Sequence, residues 1–177
     1  TGPVVWVEQC STSFANNTAG EFGGALFRTA DATARPTTFD RSTFQANHAK
    51  TGGALYVQNA KPLSIRASTF AGNTAVTAGA GDFISDELEV TNNTFAGNVA
   101  TQGVGGALSL SNASSLGWLH NNTFSGNKSS GGPGYFSAAI FGAMPFTAAN
   151  NVFANNTTLD AGSPMQCFFT PGIGTDD

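Results

Sequence analysis

The chain has 177 residues, of which only 10% are charged, and a formal net charge of −4. This length suits one domain, and the few scattered Lys and Arg residues form no basic stripe, so nucleic acid is not an expected partner. No apolar run reaches the roughly 18 residues that a spanning helix needs, so this segment is not expected to insert into a membrane. The sequence begins without Met or a signal peptide, which suggests a fragment of a longer chain.

Two short motifs alternate along the chain. Phe-x-x-Asn occurs six times, with 30, 26, 25, 29 and 29 residues between successive Phe residues: Phe14/Asn17, Phe44/Asn47, Phe70/Asn73, Phe95/Asn98, Phe124/Asn127 and Phe153/Asn156. A small-small-Ala-apolar block follows most of them: Gly23–Leu26, Gly52–Leu55, Gly105–Leu108, a degenerate Ser137–Ile140, and a loose version around Gly79–Phe83. A period of 25–30 residues is typical of a solenoid.

A strand is predicted before each Phe. The positions seven and five residues before it are mostly apolar, which is the period of a strand with one buried face: Val7/Gln9, Thr37/Phe39, Leu63/Ile65, Leu88/Val90, Gly117/Leu119 and Phe146/Ala148. Pro36, Pro62 and Pro145 stand eight residues before a Phe, where we expect them to begin the strand.

A corner is predicted between each Phe and its Asn, because a step of three residues cannot keep both inside a straight strand. Five of the six residues before the Asn readily tolerate a left-handed backbone: Asn16, Gly72, Gly97, Gly126 and Asn155, with Ala46 as the exception. The Phe rings should then stack in register, and each Asn should turn inward and bond to the coils above and below. The sequence therefore predicts an all-β, right-handed, single-stranded parallel β-helix of about six coils over residues 1–169, followed by a tail or linker at 170–177.

The alternation of Phe-x-x-Asn with Gly-Gly-Ala-Leu resembles the repeats of chlamydial polymorphic outer-membrane proteins and related bacterial surface proteins. The resemblance covers residues 12 to about 157, although the third and fifth coils depart from Gly-Gly-Ala. It implies a secreted or cell-surface β-helix that commonly serves adhesion. It supplies no catalytic residue.

Outward positions on the predicted strands provide a candidate binding surface. Glu89, Trp118 and His120 should share one side of the stack, with Arg66 one coil away. An exposed Trp beside hydrogen-bonding groups suits a sugar, because its ring gives contact area at low entropic cost. The alternative is that a loop covers Trp118. Arg66 is also expected to form a surface ion pair with Asp40 on the adjacent coil.

Carboxylates concentrate at Asp82, Asp86, Glu87 and Glu89. Such a cluster could bind Ca²⁺ or serve the acid–base chemistry of a polysaccharide-active β-helix enzyme. The alternative is a solvated acidic turn. Apart from this calcium site we predict no cofactor, and no Ser/His/Asp set is apparent.

The leading functional hypothesis is a non-catalytic, adhesin-like module that binds a glycan or protein receptor. Alternatives are a structural spacer or filament segment whose copies stack end to end, and a carbohydrate-active enzyme. Ice binding is a further alternative, since a Ser/Thr column precedes the Phe residues, although this column is expected to lie on a corner: Ser13, Thr43, Thr69, Thr94 and Thr123, with Val152 last.

Overall fold

The computed structural model describes residues 7–29, 35–111, 117–130, 137–143, 146–158 and 166–169. In these ranges all secondary structure is β, and every strand pair is parallel. The predicted solenoid is confirmed, with about five turns instead of about six. The difference arises because six Phe strands delimit five complete turns.

Three sheets form the walls of the solenoid. The Phe sheet contains Ser13–Ala15, Thr43–Gln45, Thr69–Ala71, Thr94–Ala96, Thr123–Ser125 and Val152–Ala154. The narrow sheet contains His48–Thr51, Thr74–Thr77, Val99–Ala100, Lys128–Ser129 and Thr157–Thr158. The large sheet contains Val7–Cys10, Leu26–Thr29, Arg35–Asp40, Leu55–Arg66, Gly81–Ser85, Leu88–Thr91, Leu108–Ser111, Gly117–His120, Ile140–Ala143, Phe146–Ala149 and Cys167–Phe169.

The large sheet has two halves that one long strand, Leu55–Arg66, joins. Its first part pairs with Gly81–Ser85 and its last part with Leu88–Thr91. Pro62 therefore lies inside a strand, and the prediction that it begins one is wrong. Against the neighbouring strand Arg35–Asp40 the register skips from Ala60 to Leu63, and Pro62 has no register partner on either side, so its missing N–H disrupts no pairing. Pro145 lies outside the described residues.

The Phe ladder is confirmed. Successive rings from Phe14 to Phe153 stack with centroids 4.6–5.1 Å apart and planes within 14° of parallel. The four inner rings are completely buried: Phe44, Phe70, Phe95 and Phe124. Most of the strand residues predicted to face inward are buried, including Phe39, Ile65 and Val90, whereas Val7 and Gln9 in the first described strand are only half-buried.

The interior of the Asn ladder is confirmed as well. The backbone N–H and the Nδ2 of Asn47 both donate to Oδ1 of Asn73, each at 2.9 Å, and Nδ2 of Asn73 donates to the carbonyl of Phe44 at 3.0 Å. The same pattern continues through Asn98 and Asn127. All six corner residues before the ladder Asn residues have a left-handed backbone, with φ between 51° and 64°. Each buried amide therefore finds its partners on the neighbouring coils.

The two ends of the Asn ladder depart from the prediction of an inward amide bonded to identical amides on both sides. Asn17 turns inward like the inner Asn residues, because its backbone N–H and Nδ2 donate to Oδ1 of Asn47 at 3.1 and 2.9 Å, but it is exposed instead of buried. Asn156 is buried and donates to the carbonyl of Phe124 at 2.9 Å, but its next partner is Oε1 of Gln166, at 2.8 Å, and not another Asn. The reason is position: Phe-x-x-Asn repeats flank these two residues on one side only, so each end amide has a single Asn neighbour.

A second polar ladder, which the sequence analysis missed, turns the chain two residues before each Phe. Asn93 shows its pattern: its Nδ2 donates to the carbonyl of Ile65 at 2.8 Å, and its backbone N–H donates to Oδ1 of Asn122 at 2.9 Å. Ser42 and Ser68 occupy the same place in earlier coils, with Asn151 at the far end. The residues just before this ladder form another left-handed column: Ser11, Arg41, Ala67, Asn92, Asn121 and Asn150.

The Gly-Gly-Ala block forms a tight turn against the neighbouring coil. A Cβ on Gly53 would overlap the carbonyl oxygen of Gly79, so only Gly fits there. The third coil keeps the block in register as Ala78 to Gly81, with Gly81 aligned to Leu55. The ring of Phe83 occupies the space beside Gly81 that a side chain would fill.

The Ser/Thr column lies on strands of the Phe sheet, so its expected position on a corner is wrong. Each of these strands is three residues long with the Phe inward, and both neighbours of the Phe therefore face outward. The second outward column holds mainly small residues and no Thr: Ala15, Gln45, Ala71, Ala96, Ser125 and Ala154. Separately, the described residues include no helix that is long and apolar enough to cross a membrane.

Candidate binding groove

A groove of about 360 Å³ opens on the outer surface of the large sheet. Its lining comes from the end of the long strand, the following strand Leu88–Thr91 with the bend before it, and strand Gly117–His120: Pro62, Glu87, Leu88, Glu89, Thr91, Trp118 and His120. The inward residues of these strands fill the core, so the alternate residues project outward.

Strand register brings the predicted binding residues together. Glu89 is paired with Trp118 and Thr91 with His120, on adjacent strands of the large sheet. All four line the groove, as expected for Glu89, Trp118 and His120. Arg66 is the register neighbour of Thr91 on the other side, but its exposed side chain lies outside the lining.

Trp118 gives the groove an apolar surface. Its side chain is 40% exposed, so the alternative that a described loop covers it is not observed. Pro62 contributes further apolar lining. Because Trp118 lies in a strand paired on both sides, its Cα position is fixed by the sheet. A ring held in this way can contact a flat ligand face with little loss of conformational entropy.

Glu89 is oriented by its neighbours. Ser64 Oγ donates to Oε2 of Glu89 at 2.7 Å across adjacent strands. Thr91 Oγ1 makes a longer contact with Oε1, at 3.5 Å. A carboxylate has about four acceptor positions, so Glu89 keeps some for another donor.

The second carboxylate of the groove, Glu87, has a distant cationic neighbour. Lys61 Nζ lies 3.8 Å from Oε1 of Glu87, and the two side chains are 44% and 47% exposed. An ion pair with this exposure is worth at most about 1 kcal/mol.

His120 contributes an enclosed nitrogen. Its Nε2 is shielded from solvent and has no hydrogen-bond partner among the described residues. A buried polar atom without a partner is costly, typically by about 1–3 kcal/mol.

The structure does not gather the predicted calcium set. Asp82 lies on the half of the large sheet opposite Glu89, and Asp86 lies with Glu87 in the bend between the halves. Among the described residues no three His, Cys, Asp or Glu side chains are grouped as a metal site requires. These carboxylates are close along the sequence, but the turn of the chain separates them in space.

Asp82 has a different environment from the groove carboxylates. It lies in register between Tyr56 and Ser109 on the neighbouring coils. Burial raises the pKa of this carboxyl to about 6 from its ordinary value of 3.8, against the opposing effect of a hydrogen bond with Ser109. The folded protein therefore binds the Asp82 proton more tightly than the unfolded chain does.

The expected ion pair between Asp40 and Arg66 is wrong. Although the two residues are register neighbours, Asp40 pairs with Arg41 at 3.0 Å. Arg41 follows Asp40 directly and has a left-handed backbone at the corner. This local pair replaces the longer reach between coils.

Three contributions to the outer surface were missed. Pro62 and Ser64 support the groove. The available signal was their position in the repeat, since Ser64 and Glu89 both stand six residues before a Phe, and Pro62 and Glu87 both stand eight residues before one. Exposed aromatic rings also cluster on the other half of the sheet, where Phe22 lies 4.6 Å from Tyr56 and 5.5 Å from Phe27 between centroids. Phe27 and Tyr56 both directly follow a Gly-Gly-Ala-Leu block, which was the available sequence signal.

A match to a known protein family covers most of the chain. Residues 2–158 match the family model described as a right-handed β-helix region. No curated protein matches the chain, and no solved structure matches it.

Proposed function

Because the chain belongs to the right-handed β-helix family, we propose that it is an extracellular, adhesin-like module that binds a glycan in the groove without altering it chemically. The observation that carries this proposal is the exposed Trp118 on a fixed strand, directly beside the oriented carboxylate of Glu89. Sugars are bound by such combinations, because a ring face and a few placed polar groups fit the two surfaces of a pyranose.

The proposal includes a location at the cell surface. The alternation of Phe-x-x-Asn with Gly-Gly-Ala-Leu supports a repeat of the polymorphic outer-membrane-protein type. The stacked amides and rings also make a rigid support on which to display a groove. The low share of charged residues, 10%, is compatible with a module outside the cell.

A glycan array with the purified chain tests the proposal. We expect binding to at least one glycan class, and we expect Trp118→Ala to reduce it more than tenfold because the platform is lost. Phe27→Ala is the matched control, since Phe27 is also an exposed aromatic residue and lies on the other half of the sheet. Phe27 is 51% exposed and Trp118 is 40% exposed. Binding that survives in Trp118→Ala, or that is lost in Phe27→Ala, would contradict the assignment to this groove.

Two further outcomes separate the alternatives. Chromatography of a bound oligosaccharide after incubation should recover it intact, and shorter or unsaturated products would instead indicate an enzyme. Binding to no glycan would refute the proposal and favour a spacer segment, whose concentration-dependent assembly can be followed by light scattering.

A further inference from the structure

We propose that the groove selects uncharged saccharides over acidic ones, and that Glu89 determines this preference. The inference rests on the glycan-binding role proposed above and names the ligand class of the same site. It follows from the charge of the lining and from the free acceptor positions of Glu89.

The charge of the groove lining disfavours an acidic ligand. Two carboxylates, Glu87 and Glu89, line the groove, and its lining residues include no Lys or Arg. Glu87 has Lys61 within 3.8 Å, whereas no ion pair reaches Glu89 within the described part of the chain. A uronate, sulfate or sialate placed on Trp118 would therefore lie beside an uncompensated negative charge in a partly desolvated site, where repulsion is strong.

The hydrogen-bonding capacity of Glu89 favours a ligand that donates. An ionised carboxylate only accepts, so the group opposite Glu89 on the ligand must donate. Sugar hydroxyls and amide N–H groups donate, whereas a carboxylate or sulfate oxygen cannot. Ser64 fixes the Oε2 end of Glu89 at 2.7 Å, so the side chain is not free to turn away from an anionic ligand without losing this bond.

The test uses an array of matched pairs, in which each neutral oligosaccharide is printed beside its uronate, sulfated or sialylated counterpart. Methyl-esterified and free-acid oligogalacturonides are one such pair with the same linkage. For every glycan bound, we expect the neutral member to bind at least tenfold more tightly than its acidic counterpart. Glu89→Gln, which keeps the size and hydrogen bonding of the side chain, should reduce this ratio at least threefold. Glu21→Gln, at an exposed ion pair with Lys50, should leave it unchanged.

A measurement on the unaltered protein guards against a variant that fails to fold. Raising the salt concentration from about 0.01 M to 1 M shortens the screening length from about 30 Å to 3 Å. We expect the neutral-to-acidic ratio to fall as salt rises. Equal or tighter binding of acidic members, or a ratio that neither Glu89→Gln nor salt changes, would overturn the selectivity while glycan binding stands. Binding to no glycan would overturn both proposals.

Discussion

The Phe sheet and the groove side of the large sheet use the same backbone repeat in opposite ways. On the Phe sheet every coil presents the same ring inward, and one of its two outward columns is almost uniformly Ser and Thr. On the groove side the outward column reads Thr38, Ser64, Glu89, Trp118 and Thr147, and no residue is repeated in adjacent coils. Repetition therefore marks the parts that hold the coils together, whereas the outward side chains on the groove side vary from coil to coil.

Removing one ring from the middle of the Phe ladder should strongly destabilise the protein. Phe95→Ala should lower the free energy of unfolding by about 3–5 kcal/mol, because Phe95 is completely buried between two stacked rings and the shorter residue leaves a cavity. Urea denaturation followed by fluorescence or circular dichroism measures it.

The control for this change is Phe27→Ala on the other wall. Phe27 is 51% exposed and belongs to no repeated ladder, so its loss should cost less than about 1 kcal/mol. Comparable losses from the two variants would mean that the ladder is not a major source of stability.

The same distinction explains what the sequence could and could not reveal. Phe95, Asn98 and the left-handed Gly97 recur at fixed offsets, so periodicity alone placed each of them correctly. Periodicity did not predict the exposure of Asn17, because a repeat unit does not show whether another unit covers it. The second ladder mixes Ser68 with Asn93, and that change of residue type concealed a repeat whose geometry is the same.

The groove could be predicted only as far as strand register extends. Glu89, Trp118 and His120 fall on one face because of their offsets from Phe. The bond from Ser64 to Glu89 and the position of Pro62 in an irregular strand depend on side-chain direction and on a register skip, which no pattern encodes. Asp82 was misassigned for the same reason, since a bend after Ser85 sends it to the other half of the sheet.

Asp82 lies on the half of the large sheet opposite the groove, and burial desolvates its carboxyl. Because its pKa is raised in the folded state to about 6, its contribution favours folding at low pH and is lost as the pH rises from about 4 to 6. Asp82→Asn should therefore stabilise the protein at pH 7.5 by about 2–3 kcal/mol, with the gain disappearing below pH 4.

Urea denaturation of Asp82→Asn and the unaltered protein between pH 4 and 7.5 gives this curve. Glu21→Gln on the exposed Lys50 pair serves as a surface control and should show no comparable pH dependence. A gain for Asp82→Asn that is the same at both ends of the range would show that ionisation of the carboxyl is not its cause.

One corner that follows a Phe strand has neither Gly nor Asn at its left-handed position. Ala46 has φ of 51°, a conformation that costs an L-residue roughly 1–2 kcal/mol, whereas Gly adopts it freely. Ala46→Gly should relieve this strain, but the more flexible unfolded chain offsets part of the gain, so we expect a net stabilisation of about 0.5–1 kcal/mol.

The reciprocal change, Gly97→Ala, is the matched control: the backbone there has φ of 63°, and a Cβ would meet nothing within 4 Å. Its cost should come from the backbone alone and be about 1 kcal/mol, of opposite sign. If both variants destabilise the protein in thermal or urea unfolding, then residue 46 is held by contacts of its methyl group and not merely tolerated, and the corners of this sheet would be less equivalent than their shared geometry indicates.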